Sequence, residues 1–202
     1  MRKIIPAVVA AALLAAAACE ETYEPPGPPP SRWPDLTSPA AALETVEISF
    51  NQRNVDYLKK SLGPEFVFYF DPRDLGRKLP PNNPPVPSSW NYESFCRVAG
   101  NMFDEAYSID LSINTNRVGE PSPEEKTYRA DNVALALLVM VDERNGYVAD
   151  QGYCNFEFES YPTKERKRNW RLTAIWDRTS VISGKPGGLT PSSLGRILAL
   201  YQ

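Results

Sequence analysis

Apolar positions fall at helical spacing near the start of the chain and at strand spacing through most of its second half. Leu43, Val46, Glu47 and Phe50 keep the three-and-four rhythm of one helix face. Ser38-Pro39 opens that helix, because a serine oxygen caps free N–H groups and proline in the first turn loses no needed donor. A second short helix is predicted over Val55 to Leu62, stopped by Gly63-Pro64. Phe66 to Phe70, aromatic and alternating, reads as a strand. Asp71 to Ser89 then carries six prolines, and a loop this long inside a compact domain is often functional. A third helix is predicted from Asn91 to Ala106, with Tyr92, Phe95, Cys96, Ala99, Met102, Phe103 and Ala106 on one face. The rest reads as a β-meander. Its strands are Tyr107 to Arg117, Thr127 to Asp142, Tyr147 to Tyr161 and Trp170 to Arg178, with turns at Asn145-Gly146 and Lys164 to Asn169. The Val133 to Val141 stretch is apolar enough to predict cover on both faces. A short helix over Ser192 to Leu200 closes the chain, after a glycine-bearing turn at Gly184 to Gly188 that lacks phosphate-loop spacing.

The first 18 residues follow another rule. Arg2 and Lys3 precede an uncharged run from Ile4 to Ala18, and Cys19 follows. A basic head, a short apolar core and small residues describe a secretory signal, and the run is too short for the ~20 residues a bilayer span needs. Leu14 to Cys19 resembles a bacterial lipobox, although Ala16 stands where that pattern prefers leucine. The resemblance implies cleavage before Cys19, lipidation there with palmitate among the acyl groups, and a membrane partner reached through the lipid. Glu20 in place of aspartate favours the outer membrane and a domain facing the periplasm. Residues 19–37 form a proline-rich tether, with Pro25, Pro26, Pro28, Pro29 and Pro30 favouring extended polyproline II. At ~3.1 Å per residue it reaches on the order of 50 Å. Residues 38–202 remain as one domain with a core in 38–178.

Composition narrows the chemistry. Removing Arg2 and Lys3 with the signal takes the formal charge from −3 to −5, which argues against a nucleic-acid partner. There is no histidine, so the usual general base and commonest metal ligand are missing. Cys96 and Cys154 are too few for a thiolate zinc site, and no metal or other cofactor is expected. Outside the cytoplasm a disulfide between them is permitted, and two buried free thiols are the other reading.

The order of elements resembles the nuclear transport factor 2-like superfamily. Ala41 to Phe70 resembles its opening helices and first strand, Trp90 to Phe103 its third helix, and Trp170-Arg171-Leu172-Thr173-Ala174-Ile175-Trp176-Asp177 its closing strand. The resemblance implies an α+β cone, with N-terminal helices packed on a strongly curved antiparallel sheet and a pocket open at one end. Members include isomerases, dehydratases and pure binding proteins, so fold alone leaves function open.

Ketosteroid-isomerase-like members use carboxylates and a tyrosine. Tyr57, Tyr69, Asp110, Tyr128, Asp150 and Asp177 are the candidates of those types, and none matches that constellation by position and local motif. Asp177 reads as bonding a neighbouring backbone or arginine. Lys164, Arg166, Lys167 and Arg168 read as a solvated hairpin tip. The expected role is therefore a non-catalytic cone that binds a small apolar ligand or an envelope protein, with Tyr57, Tyr69, Phe95, Met102 and Trp176 as ligand-binding residues. The alternative is a small isomerase or dehydratase using Asp and Tyr. A homodimer through the open face of the sheet is a third arrangement.

Overall fold

The computed structural model describes residues 34–79, 84–163, 168–181 and 188–202. The signal, Cys19, most of the tether, the 164–167 tip and most of the Gly184 to Gly188 turn lie outside the described residues. No helix among the described residues is long and apolar enough to cross a membrane.

Helix α1 (Pro39–Asn51) begins where the sequence places it, with Ser38 Oγ accepting from the Ala41 N–H at 3.1 Å. Helix α2 (Val55–Ser61) is capped by Asn54 and passes directly into strand β1 (Leu62–Tyr69). Gly63-Pro64 therefore does not separate helix from strand. It lies in an irregular part of β1, where pairing with the last long strand shifts register between Leu62 and Val67. A three-residue strand, β2 (Ser89–Asn91), precedes α3 (Tyr92–Glu105), whose buried face holds Phe95, Cys96, Val98, Ala99, Met102 and Phe103.

Strand β3 (Ser108–Ile113) is followed by one 3₁₀ turn, Thr115–Arg117. Thr127 to Asp142 is two strands rather than one: β4 (Thr127–Val133) and β5 (Leu135–Met140) belong to different sheets. Tyr147 to Tyr161 divides in the same way into β6 (Gly146–Ala149) and β7 (Gly152–Pro162). A single two-stranded ribbon thus leaves one sheet, turns, and returns to it. Asn132 takes φ 56 at the outgoing bend, and its N–H is received by the Asn155 side chain at 2.9 Å. Asparagine tolerates that left-handed backbone better than most residues. The ribbon's tip is a five-residue loop, Val141 to Asn145, gathered by the Asp142 carboxylate, which accepts from the N–H groups of Arg144 and Asn145. Gly146 starts β6 and is not the second residue of a two-residue turn. Its glycine serves close approach, since a Cβ there would stand 2.6 Å from the Val139 carbonyl oxygen.

Strand β8 (Arg168–Thr179) runs down the middle of the larger sheet, and β9 (Leu189–Pro191) leads into helix α4 (Leu194–Ala199). The sheets are ordered β2-β1-β8-β7-β4 and β3-β5-β6-β9. Pairings β1–β8 and β6–β9 are parallel, so the sheets are mixed and not purely antiparallel. The free edge of β3 is covered by α1: the Asn51 side chain both donates to and accepts from the Leu111 backbone, at 2.9 and 2.7 Å, and Glu47 receives the Ile113 N–H. Such cover removes a template for edge pairing.

The core lies between the concave faces of the sheets and the helices. Leu43, Val46 and Phe50 meet Phe66, Phe68, Phe95, Phe156, Leu172, Ile175, Leu111 and Leu137 there. The outer side of β5 is not fully covered: Ala136, Leu138 and Met140 are half-buried, because no helix layer packs on it.

Candidate functional site: the cone and its closing helix

The concave side retains one small void of about 30 Å³, lined by Val46, Phe50, Phe68, Phe95, Phe156 and other apolar side chains. No tyrosine, aspartate or glutamate lines it. Leu194 and Leu198 of α4 form part of its wall, so the chain's last helix fills the mouth that the sequence predicts to be open.

Buried polar groups fix that helix in place. Asp177 and Thr179 sit at the end of β8, both inaccessible to solvent. One Asp177 oxygen accepts from the Thr179 N–H at 2.8 Å and from its hydroxyl at 2.5 Å, and the other accepts from the Gly195 N–H at 2.7 Å. Thr179 Oγ1 in turn receives the Leu194 N–H at 2.8 Å. Gly195 has no room for a side chain, because a Cβ would meet Phe70 at 2.6 Å and Asp177 at 2.9 Å. Asp74, buried in the proline-rich loop, accepts from the Ser193 hydroxyl and from Arg196 Nε at 2.6 Å. The loop thereby brings that carboxylate to the start of α4. The sequence reading missed Asp74, Thr179, Ser193, Gly195 and Arg196. Its only available signal was Ser193 as an N-cap three residues before Arg196.

Burial pushes the Asp177 carboxyl above its ordinary value, against the opposing pull of the Thr179 and Gly195 hydrogen bonds. Asp71 behaves oppositely: burial raises it, but the hydrogen bonds and charge of Arg73 bring it below its ordinary value. Arg73 Nε stands 2.8 Å from Asp71 Oδ1. A lowered folded-state value means that Asp71 contributes stability above about pH 4, and that this is lost as pH falls through the folded value. In an acid titration followed by circular dichroism, the stability gap between wild type and Arg73→Ala should therefore close below the ordinary carboxylate value of 3.8. A gap that widens there would contradict the assignment.

The five residues predicted to bind ligand do not converge. Phe95 and Met102 are core residues of α3, and of the five only Phe95 lines the void. Tyr57 lies on α2 with the Lys60 ammonium 4.2 Å from its ring centroid. Tyr69 and Trp176 stack at 5.1 Å and 9° on the outer face of the larger sheet, with the Arg129 guanidinium 5.0 Å from the tryptophan ring. That outer face also carries Glu157, paired with Arg129 at 3.0 Å, so it is polar and aromatic together rather than a bare apolar patch. Asp110 is exposed on β3, and Tyr128 accepts the Gly119 N–H at 2.7 Å. Asp177 does bond a neighbouring backbone, as its position after Trp176 predicts.

Cys96 and Cys154 are free thiols, both buried. They sit in separate surroundings, Cys96 beside Tyr92 and Lys59, and Cys154 beside Asp177 and Arg178. Burial raises both thiols above their ordinary value, which disfavours the nucleophilic thiolate. No group of three or more acidic, cysteine or histidine side chains among the described residues could hold a metal.

Helices α1 to α3 lie in the hollow of two curved sheets joined by a bent ribbon, the arrangement the sequence resemblance implies. The fold is a nuclear transport factor 2-like cone. No protein-family model matches the chain, and no curated protein does. Similar solved structures include a conserved protein from Planctomyces limnophilus, at 12% identity and TM-score 0.49, covering 70% of this chain and 92% of that one. A nuclear transport factor 2-like superfamily protein from Salmonella enterica serovar Typhimurium is 11% identical, with 72% of this chain and 90% of that one covered and TM-score 0.43. A candidate scytalone dehydratase from Novosphingobium aromaticivorans is 7% identical, with 74% and 87% covered and TM-score 0.48.

Proposed function

We propose that the protein is a lipid-anchored, non-catalytic binding module, held to a bacterial envelope membrane through Cys19 and presenting its cone domain to the periplasm. The observation that carries the non-catalytic part is the filled cone. An acid–base enzyme needs a titratable group facing a space large enough for substrate. Here the space inside the cone is about 30 Å³ and wholly apolar. Pockets that take small molecules are on the order of 300 Å³ or more. Asp177, a buried carboxylate at the start of α4, has both oxygens committed to Thr179 and Gly195. The sequence supports the anchor: a charged head, a short apolar run and a cysteine after small residues.

Anchoring is tested by growing cells that express the full chain with an alkyne-bearing palmitate and reading label on the purified protein. Label on wild type and none on Cys19→Ser is expected. Unlabelled wild type would remove the anchor from the proposal.

A further inference from the structure

Helix α4 occupies the cone as a ligand would. It presents Leu194 and Leu198 to the apolar void, two backbone N–H groups to Thr179 and Asp177, and the Arg196 guanidinium to Asp74. The seat beneath it has three matched parts: an apolar floor, buried acceptors at the rim, and a glycine-sized gap against Phe70. Its rim is acidic and its occupant basic, a charge match with Arg196 Nη2 2.5 Å from Asp74. We infer that this seat is a recognition site for a short amphipathic helix of a partner protein, one carrying Ser-Leu-Gly-Arg followed by apolar residues, and that α4 is its intramolecular stand-in. This deepens the binding reading above and rests on it.

Two observations make α4 displaceable. It has six residues, far below the ~12 at which a helix holds itself in water, so the seat alone keeps it helical. Its fit is imperfect, since the void remains under it and the buried Tyr201 hydroxyl has no hydrogen-bond partner. A partner helix that fills the void would exceed α4 in contact while reusing its hydrogen bonds. Helix-in-groove recognition works in this way, through apolar anchors at i, i+3 and i+4. Leu194, Ile197 and Leu198 have that spacing. The glycine-sized gap supplies discrimination, because a partner with any side chain at that position clashes.

The probe is a fluorescein-labelled peptide with the sequence of residues 190–202, titrated by anisotropy into the purified full-length protein. Tethered α4 competes at an effective concentration on the order of millimolar, so binding to wild type is weak. In Leu198→Ala protein the tethered helix is weakened, and binding is expected to tighten at least tenfold. The same peptide carrying Gly195→Ala should bind at least tenfold more weakly than the original. Near-ultraviolet circular dichroism establishes that the variant is folded. If it is not, Arg196→Ala, altered only at the rim, takes its place with the same expectation. Absence of saturable binding to a folded variant, or equal binding of the glycine and alanine peptides, would overturn the inference. So would hydrogen exchange in which the Leu194 to Leu200 amides open only with global unfolding. A dimer formed by exchange of α4 between copies, seen as doubled mass in dilute solution, would place the occupant within the protein itself and overturn the assignment to a partner. Acylation of Cys19 is read separately, so loss of label with peptide binding intact strikes the anchor alone.

Discussion

Replacing Asp177 by alanine should lower the thermal midpoint by roughly 6–12 °C, from a loss of about 3 kcal/mol at about 2–4 °C per kcal/mol for a domain of this size. The carboxylate is fully buried and accepts three hydrogen bonds, two from Thr179 and one from Gly195. Alanine leaves the Thr179 and Gly195 N–H groups buried without acceptors, and each such orphan costs about 1–3 kcal/mol. Relief from removing a buried charge offsets part of this, which is why the sum is not larger. Asn at this position does not rescue. One of its two ends is an NH2, which must face either the Thr179 donors or the Gly195 N–H. The pH dependence gives an independent check. Burial holds the Asp177 carboxyl above its ordinary value, so the folded state binds that proton more tightly than the unfolded state. The advantage of wild type over Asp177→Ala is then greatest below the ordinary value of 3.8 and declines as pH rises through the folded value. That trend is opposite to the one for Arg73→Ala. Thermal scans by circular dichroism across acid pH read both. A midpoint fall under 2 °C, or matching trends for the two variants, would show that the Asp177 cluster does not hold α4.

The contrast between what was and was not legible in the chain follows from the range of the forces involved. Helices α1 and α3 could be placed from their caps and apolar spacing because Ser38 and Asn91 bond N–H groups three residues away. Helix α4 was legible for the same reason, through Ser193 and Arg196. Its seat was not. Asp74 and Arg196 are 122 positions apart, and nothing local in a proline-rich loop marks one aspartate as a buried acceptor. The ribbon was misread for a related reason. Alternation continues through Val133 and Leu135 into β5, so periodicity alone runs β4 and β5 together, although a change of sheet lies between them. Strands β2 and β9, three residues each, carry too few positions to show any period. Aromatic richness pointed correctly to the core but not to a shared ligand site. Tyr69 and Phe68 are neighbours in sequence, and the pleat sends one to the stacked pair outside and the other to the void inside.

Phe68 supplies the second large expected effect. Its side chain is inaccessible to solvent and packs against Phe70, Trp90 and Phe95 at ring distances of 5.0, 6.0 and 5.6 Å, at one wall of the void. Phe68→Ala removes those contacts and joins the vacated volume to the void, so the surroundings cannot collapse without moving two helices and a strand. Phenylalanine-to-alanine changes in such sites cost about 3–5 kcal/mol, which corresponds to a midpoint fall of roughly 6–20 °C. Phe68→Leu, which keeps most of the volume, should lose less than half as much. The cavity formed in Phe68→Ala is apolar throughout, so it should stay dry and accept benzene, as apolar cavities of about 150 Å³ do. Benzene should therefore raise the midpoint of Phe68→Ala and leave wild type unchanged, because about 30 Å³ cannot hold a ring. A shift of equal size in wild type would mean that α4 already lifts to admit an apolar guest. Stabilisation confined to the variant would mean that the helix stays seated against small apolar molecules. Displacing it would then require the donors and guanidinium of a partner that Asp177 and Asp74 can recognise.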